Sequence, residues 1–203
     1  MPSRREFIQA GIAASVVPIA FPIHEPVRAA GGGDAATSSS HHPVCVVCDI
    51  RSAHSTAFAH EADRLGLTVV RTSGDITDFW FTDLSLRWKA SPVAIAGLTT
   101  QGALFCLERF GWDHGLRVAF RGVHRVLESG HVEHALSGPF RTVARAHSAL
   151  LGDDWPLHVA RLLNSCAATR DTAATTVRSA PTRGHRSEVD DTLVSWVIAP
   201  KLA

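Results

Sequence analysis

Four short segments of this chain carry side chains able to do chemistry, each at the end of a short apolar run: Asp49-Ile50-Arg51-Ser52, Thr72-Ser73-Gly74-Asp75, Gly97-Leu98-Thr99-Thr100 and Arg121-Gly122-Val123-His124. Arg51 offers a guanidinium that can grip a carboxylate or phosphate through two parallel N–H donors. Thr99 and Thr100 supply hydroxyls at what reads as a helix start, where open backbone N–H groups favour an anion. Asp49 and Asp75 can accept hydrogen bonds or act as bases, and His124 titrates near neutrality. Asp49, Arg51, Ser52, Gly74, Asp75, Thr99, Thr100, Arg121 and His124 therefore form the candidate ligand-binding set, with no catalytic role assigned to any of them. Structural roles compete at several positions. Asp75 and Thr100 are also good helix caps, and Asp49 can pair with Arg51 or Arg121.

Other patterns are weaker. Cys45-Val46-Val47-Cys48 has C-x-x-C spacing, but inside a strand residues three apart point to opposite faces, so core packing is the expected role. His131-Val132-Glu133-His134 with His124 upstream suggests a metal set of His124, His131 and Glu133. It matches neither H-E-x-x-H nor H-x-x-E-H, and His134 on a strand would face away from His131. No metal is therefore expected. Cys106 and Cys166 are within reach of a disulfide hypothesis. Phe79-Trp80-Phe81 after Asp75 can roof a pocket or fill a core. No G-x-G-x-x-G or P-loop follows the first apolar run, no Ser stands in a G-x-S-x-G elbow, and no haem or iron–sulfur motif is present, so no cofactor is named.

The elements that must position these residues alternate. Val44–Ile50 reads as a strand buried on both faces. A helix capped by Ser55 follows, with Phe58, Ala62 and Leu65 at helical spacing and Gly66 as its stop. Leu67–Arg71 is a second strand. A second helix begins at Asp75 or Thr77, carries Trp80, Leu84 and Trp88 on one stripe, and ends before Pro92. Val93–Leu98, a helix capped by Thr99 or Thr100 with Ala103, Leu104 and Leu107 inward, and Leu116–Phe120 complete the alternation. His131–Leu136 reads as a strand returning antiparallel after the Glu128-Ser129-Gly130 turn. Residues 140–151 and 155–166 read as helices, 167–190 as a loose loop, and Thr192–Ala199 as a last strand at the sheet edge. The expected fold is α/β: a three-layer open sheet, mainly parallel β-α-β-α-β-α-β, with an added antiparallel hairpin strand and a carboxyl-terminal edge strand. With strand order 2-1-3-4 the ligand crevice would lie beyond the carboxyl ends of the first and third strands.

At 203 residues, 45% hydrophobic and 19% charged, the chain has room for one domain with a core plus appendages. Ser3-Arg4-Arg5-Glu6-Phe7-Ile8 resembles a twin-arginine signal consensus, with Arg4 and Arg5 as its pair. An apolar run from Phe7 to Phe21 follows, too short to span a bilayer, and Val27-Arg28-Ala29 offers small residues for cleavage before Ala30. The expected organisation is a signal peptide over 1–29, a small-residue linker over 30–42 containing His41 and His42, and one α/β domain over 43–200. Cleavage removes Arg4, Arg5 and Arg28 with Glu6 and Glu25, and takes the formal net charge from +1 to zero. A neutral domain argues against nucleic acid as partner, and no cysteine near the cleavage site suggests a lipid anchor.

From Val44 to Pro200 the chain resembles a family of bacterial proteins with twin-arginine signals. Asp49-x-Arg51-x-x-x-Ser55, Gly74-Asp75 with Trp80, Gly97-Leu98-Thr99-Thr100, Arg121 and Ser195-Trp196-Val197 carry that likeness. The resemblance implies export by the Tat translocon to the periplasm, and brings no activity with it. The leading expectation is a periplasmic binding protein, or an accessory protein for an exported enzyme such as a redox enzyme. The alternatives are a small enzyme acting on an anionic metabolite, with Arg51, Thr99 and Thr100 holding the anion and Asp75 or His124 as acid or base, and a metal-binding protein.

Overall fold

In the computed structural model the parallel strands and the helices that follow them begin and end close to local signals in the sequence. The described residues are 42–150, 152–165, 174–178 and 189–200; the expected signal segment with Arg4 and Arg5, nearly all of the expected linker including His41, and Cys166 lie outside them. In chain order the elements are β1 (Val46–Asp49), α1 (Ala53–Arg64), β2 (Val69–Thr72), α2 (Thr77–Phe79), a π turn (Trp80–Leu84), α3 (Ser85–Ala90), β3 (Ile95–Thr99), α4 (Gln101–Asp113), β4 (Leu116–Leu127), β5 (Val132–Pro139), α5 (Phe140–Ala149), α6 (Trp155–Ser165), β6 (Ala174–Arg178) and β7 (Val189–Pro200). α2, the π turn and α3 run on without a break. Phe79, Leu84 and Trp88 are buried. The step of five from Phe79 to Leu84 is what one π turn accommodates, and it brings Trp80 and Phe81 out of that buried stripe.

The sheet has seven strands in the order β2-β1-β3-β7-β4-β5-β6. β1 pairs in parallel with β2 and β3, and every other pairing is antiparallel. The protein is thus α/β with a mixed sheet, and the expected mainly parallel sheet is corrected: only the first three strands form a parallel block.

The last strand is also corrected. β7 lies between β3 and β4 in the middle of the sheet, antiparallel to both. Leu193 through Ala199 are all buried. A run of this kind, apolar except for Ser195, belongs where both faces and both edges are covered. Gly97 makes room for it, since a Cβ there would stand 2.5 Å from the Val47 carbonyl oxygen and 2.6 Å from the Trp196 indole. β6 falls inside the stretch expected to be loop, and pairs with β5 at the edge. Thr175 and Val177 are half-buried and Thr176 and Arg178 exposed, and the Ala-Thr-Thr-Val-Arg sequence gives little hydrophobic periodicity to read.

Helices cover both faces. Val46 and Cys48 of β1 share one core cluster with residues of α1, α5 and α6. Val47 faces the other way, into a cluster with Phe79, Leu84, Trp88 and the inner face of α4. Cys45 belongs to this second cluster and Cys48 to the first, so the C-x-x-C pair is split across the sheet as strand geometry requires. Both are free thiols that burial pushes up to about 11. α1 and α6 are tied by Glu61, which accepts from Arg64 of its own helix and from Arg161 of α6, each at 2.7 Å. Among the described residues no helix is long and apolar enough to cross a membrane.

Candidate functional site

The three parallel strands end together, and their chemistry is concentrated there. Asp49 closes β1 with its carboxylate buried. Arg51 doubles back on it, donating from Nε to one oxygen at 2.9 Å and from Nη2 to the other at 2.6 Å, while its backbone N–H adds a third bond at 3.1 Å. These donors hold the Asp49 carboxyl below the usual carboxylate range. The Arg51 side chain remains 57% exposed. It lies flat over Gly74, where φ is +90° and a Cβ would stand 1.9 Å from Nη2. Glycine is needed twice at that position, for the backbone angle and for the guanidinium.

Ser52, not Ser55, caps α1, its side chain accepting from the Ser55 N–H. Ser55 instead points inward, donating to the Leu98 carbonyl at 2.6 Å and accepting from the Asp49 N–H at 2.9 Å. It thereby stitches β1, α1 and β3 together. Asp75 is exposed and accepts the Thr77 N–H at 2.8 Å; bonds from the Thr77 side chain and then from its N–H hold the carboxyl below the ordinary value. Thr99 is fully buried. Its hydroxyl accepts the Trp196 indole N–H at 3.0 Å and donates to the Thr100 carbonyl at 3.1 Å, so it serves the core. Thr100 precedes α4 without a side-chain cap bond.

The fourth segment does not reach this edge. β4 continues to Leu127, seven residues beyond the expected end, because Arg121–Leu127 pairs with β5 on one side and β7 on the other. Arg121 is mid-strand and donates to Glu108 of α4 at 2.8 Å. His124 lies in the core. Its Nδ1 is 2.7 Å from His134 Nδ1 across the hairpin, and its Nε2 is 2.8 Å from Ser195 Oγ. Trp155 stacks on His124 at 4.5 Å between ring centres and carries His54 on its other side at 5.3 Å. His134 also bonds the backbone of Leu150. The protonation pattern consistent with these contacts runs one way: Ser195 donates to His124, His124 to His134, and His134 to Leu150. Burial pushes the His134 imidazole down to about 4, and burial followed by the charge of His134 drives His124 well below 6.5. Serine, histidine and histidine in this order have the contacts of a nucleophile with its base. Ser195 and His124 are no more than 1% exposed, however, and no substrate reaches them.

His131 is exposed and Glu133 half-buried on the strand face opposite His134, so His124 is not brought together with either. Among the described residues no three His, Cys, Asp or Glu side chains are grouped to hold a metal. Cys106 is an exposed free thiol, and its proposed partner Cys166 lies outside the described residues.

Beside the strand ends lies a slot of about 270 Å³, open to solvent and enclosed by Gly74, Asp75, Ile76, Thr77, Trp80 and Phe81 on one side and Gly102, Ala103, Cys106 and Phe110 of α4 on the other. Trp80 stacks on Phe110 at 4.2 Å to form its floor. Of the candidates read from sequence, Gly74 and Asp75 line it and Arg51 lies against Gly74. The α4 wall is missing from that set, although Gly102, Cys106 and Phe110 recur at a helical step of four, adjacent to the stripe through Ala103 and Leu107. Of the Phe79-Trp80-Phe81 trio, the first fills the core and the other two line the slot.

No protein-family model matches the chain, and no curated protein or solved structure matches it.

Proposed function

We propose that this chain is exported through the twin-arginine route to the periplasm and there binds a small molecule in the slot between the α2–α3 run and α4. The observation that carries the reading is that slot: an open, aromatic-floored cavity of about 270 Å³ beside the carboxyl ends of the parallel strands. Its size is at the low end of ligand pockets, roughly 300 to 1,000 Å³, and its mainly apolar lining with few polar groups is the usual composition. The edge of an α/β sheet is where ligands of such folds bind. Binding is favoured over catalysis by where the reactive groups lie. Thr99, His124 and Ser195 are enclosed in the core, while the exposed groups at the slot hold and orient. Export rests on Arg4-Arg5 and the apolar run behind them.

Native mass spectrometry of the mature protein tests this reading together with Gly102→Trp. A Cβ at Gly102 meets nothing within 4 Å, so an indole there fits the fold and covers the slot. The wild type is expected to retain a small molecule, or to take one up from a metabolite extract, and the folded variant to lose it. A ligand that stays bound to Gly102→Trp places the site elsewhere, and a wild type that binds nothing ends the proposal.

A further inference from the structure

Building on the slot reading, we infer that the ligand is a cation: an amine or quaternary ammonium group carried on an apolar body. Among the described residues Asp75 is the one charged residue in the slot lining, and its carboxylate is exposed and bonded to the Thr77 N–H. Arg51, which lies against Gly74 of the lining, is already spent. Both oxygens of the buried Asp49 carboxylate are engaged by its Nε and Nη2, so that pair sums to zero. Asp191 of β7 adds a further negative influence on Arg51. The α4 amino terminus works against this with about half a positive charge, largely screened at an exposed end. The local sum remains negative.

The walls agree with the charge. Trp80, Phe81 and Phe110 are the slot's aromatic side chains, and Phe81 is 69% exposed, a costly placement for an isolated domain. An aromatic ring attracts a cation within about 6 Å of its centre through the negative charge of its face, and rings grouped with a carboxylate suit ammonium groups. An anion would find no uncommitted side-chain charge in the lining.

Cys106 supplies the readout, since it is an exposed free thiol on the slot wall while Cys45 and Cys48 are buried. In a mature protein carrying Cys166→Ser, the rate of Cys106 alkylation by iodoacetamide is followed against three soluble probes of similar body: benzyltrimethylammonium, benzyl alcohol and benzoate. The cation is expected to halve the rate at a concentration at least tenfold lower than the alcohol, with benzoate the weakest. Asp75→Asn, which keeps the bond to Thr77, is expected to bring the cation to the level of the alcohol. Equal protection by all three, abolished by Gly102→Trp, would leave the slot standing and overturn the charge assignment. Benzoate protecting best, or Asp75→Asn without effect on the cation, overturns it too. Protection by none of the three overturns the slot and the cation together.

Discussion

The two halves of the sheet use polar residues in opposite ways. In the parallel half, Asp49, Arg51 and Asp75 stand at the strand ends. Their bonds are short and local, and Arg51 and Asp75 stay open to water. In the antiparallel half, His124, His134 and Ser195 form a chain of bonds inside the sheet, closed over by Trp155. The second group has the more catalytic-looking geometry, and the first has the access. Solvent exposure therefore decides which of them handles a ligand, and the buried group is read as a fixed polar seam that holds β4, β5 and β7 in register.

The sharpest way to break this contrast is to place a side chain between the members of the seam. Gly122 faces Ser195 across the β4–β7 pair, and a Cβ there would stand 2.5 Å from its Oγ, 3.0 Å from Leu136 and 3.1 Å from His124 Nε2. None of these atoms has room to retreat. Gly122→Val is expected to cost about 4 kcal/mol, overpacking combined with a broken buried hydrogen bond. Urea unfolding should show a much lower midpoint at unchanged slope. A loss under about 1 kcal/mol would mean that the seam is loosely packed and free to open.

Acid tests the same seam without a mutation. The unfolded chain carries histidines near 6.5, whereas burial holds His134 near 4 and His124 well below 6.5. Below pH 6.5 the unfolded state therefore binds more protons than the folded one, and stability is lost as the pH falls from 6.5 towards 4. The shift at His134 alone corresponds to about 3 kcal/mol. Glu61 titrates in a lower window, its carboxyl held down to about 2 by Arg64 and Arg161, so its contribution is lost only below about 4.5. Unfolding free energies measured from pH 7 to 4.5 should drop steeply, and the drop should flatten in His124→Leu/His134→Phe. A pH profile unchanged by that double replacement would remove the histidines as its cause.

The parallel block was legible in the sequence because its signals are local. Val44–Ile50, the helix start expected at Ser55 and found three residues earlier at Ser52, and the Gly66 stop lie within a few residues of what they determine, and the positions of Asp49, Arg51, Gly74 and Asp75 at one edge follow from alternation alone. The antiparallel half depends on partners distant in the chain. The buried run of β7 pairs with strands some 70 to 100 residues earlier. Its hydrophobicity, interrupted only at Ser195, was the sign that it belonged in the centre, and the long preceding segment suggested an edge instead. His124 and His134 meet only through the hairpin register across Glu128–Gly130. That register makes His134, set aside because it faces away from His131, the residue that His124 touches. Ser195 stood in no catalytic motif, and the α4 wall of the slot read as an ordinary helix flank.

The smallest expected effect belongs to the open edge. Gly74→Ala places a Cβ against the Arg51 guanidinium, at 1.9 to 2.9 Å from three of its atoms, on a backbone with φ of +90°. In contrast to Gly122, what it meets is the far end of an exposed, flexible side chain that can swing into solvent. The cost should be about 1 kcal/mol, mostly the left-handed backbone angle. The side chain, not the fold, should record the change. The Arg51 Nε–H, protected from exchange by its bond to Asp49, should exchange rapidly in the variant, as followed by nitrogen-15 NMR. Swinging away also exposes Asp49 and makes the slot edge more negative, so benzyltrimethylammonium should protect Cys106 at least as well as before. A loss of several kcal/mol from Gly74→Ala would show instead that the edge is packed as rigidly as the seam, and the contrast between the two halves would fail.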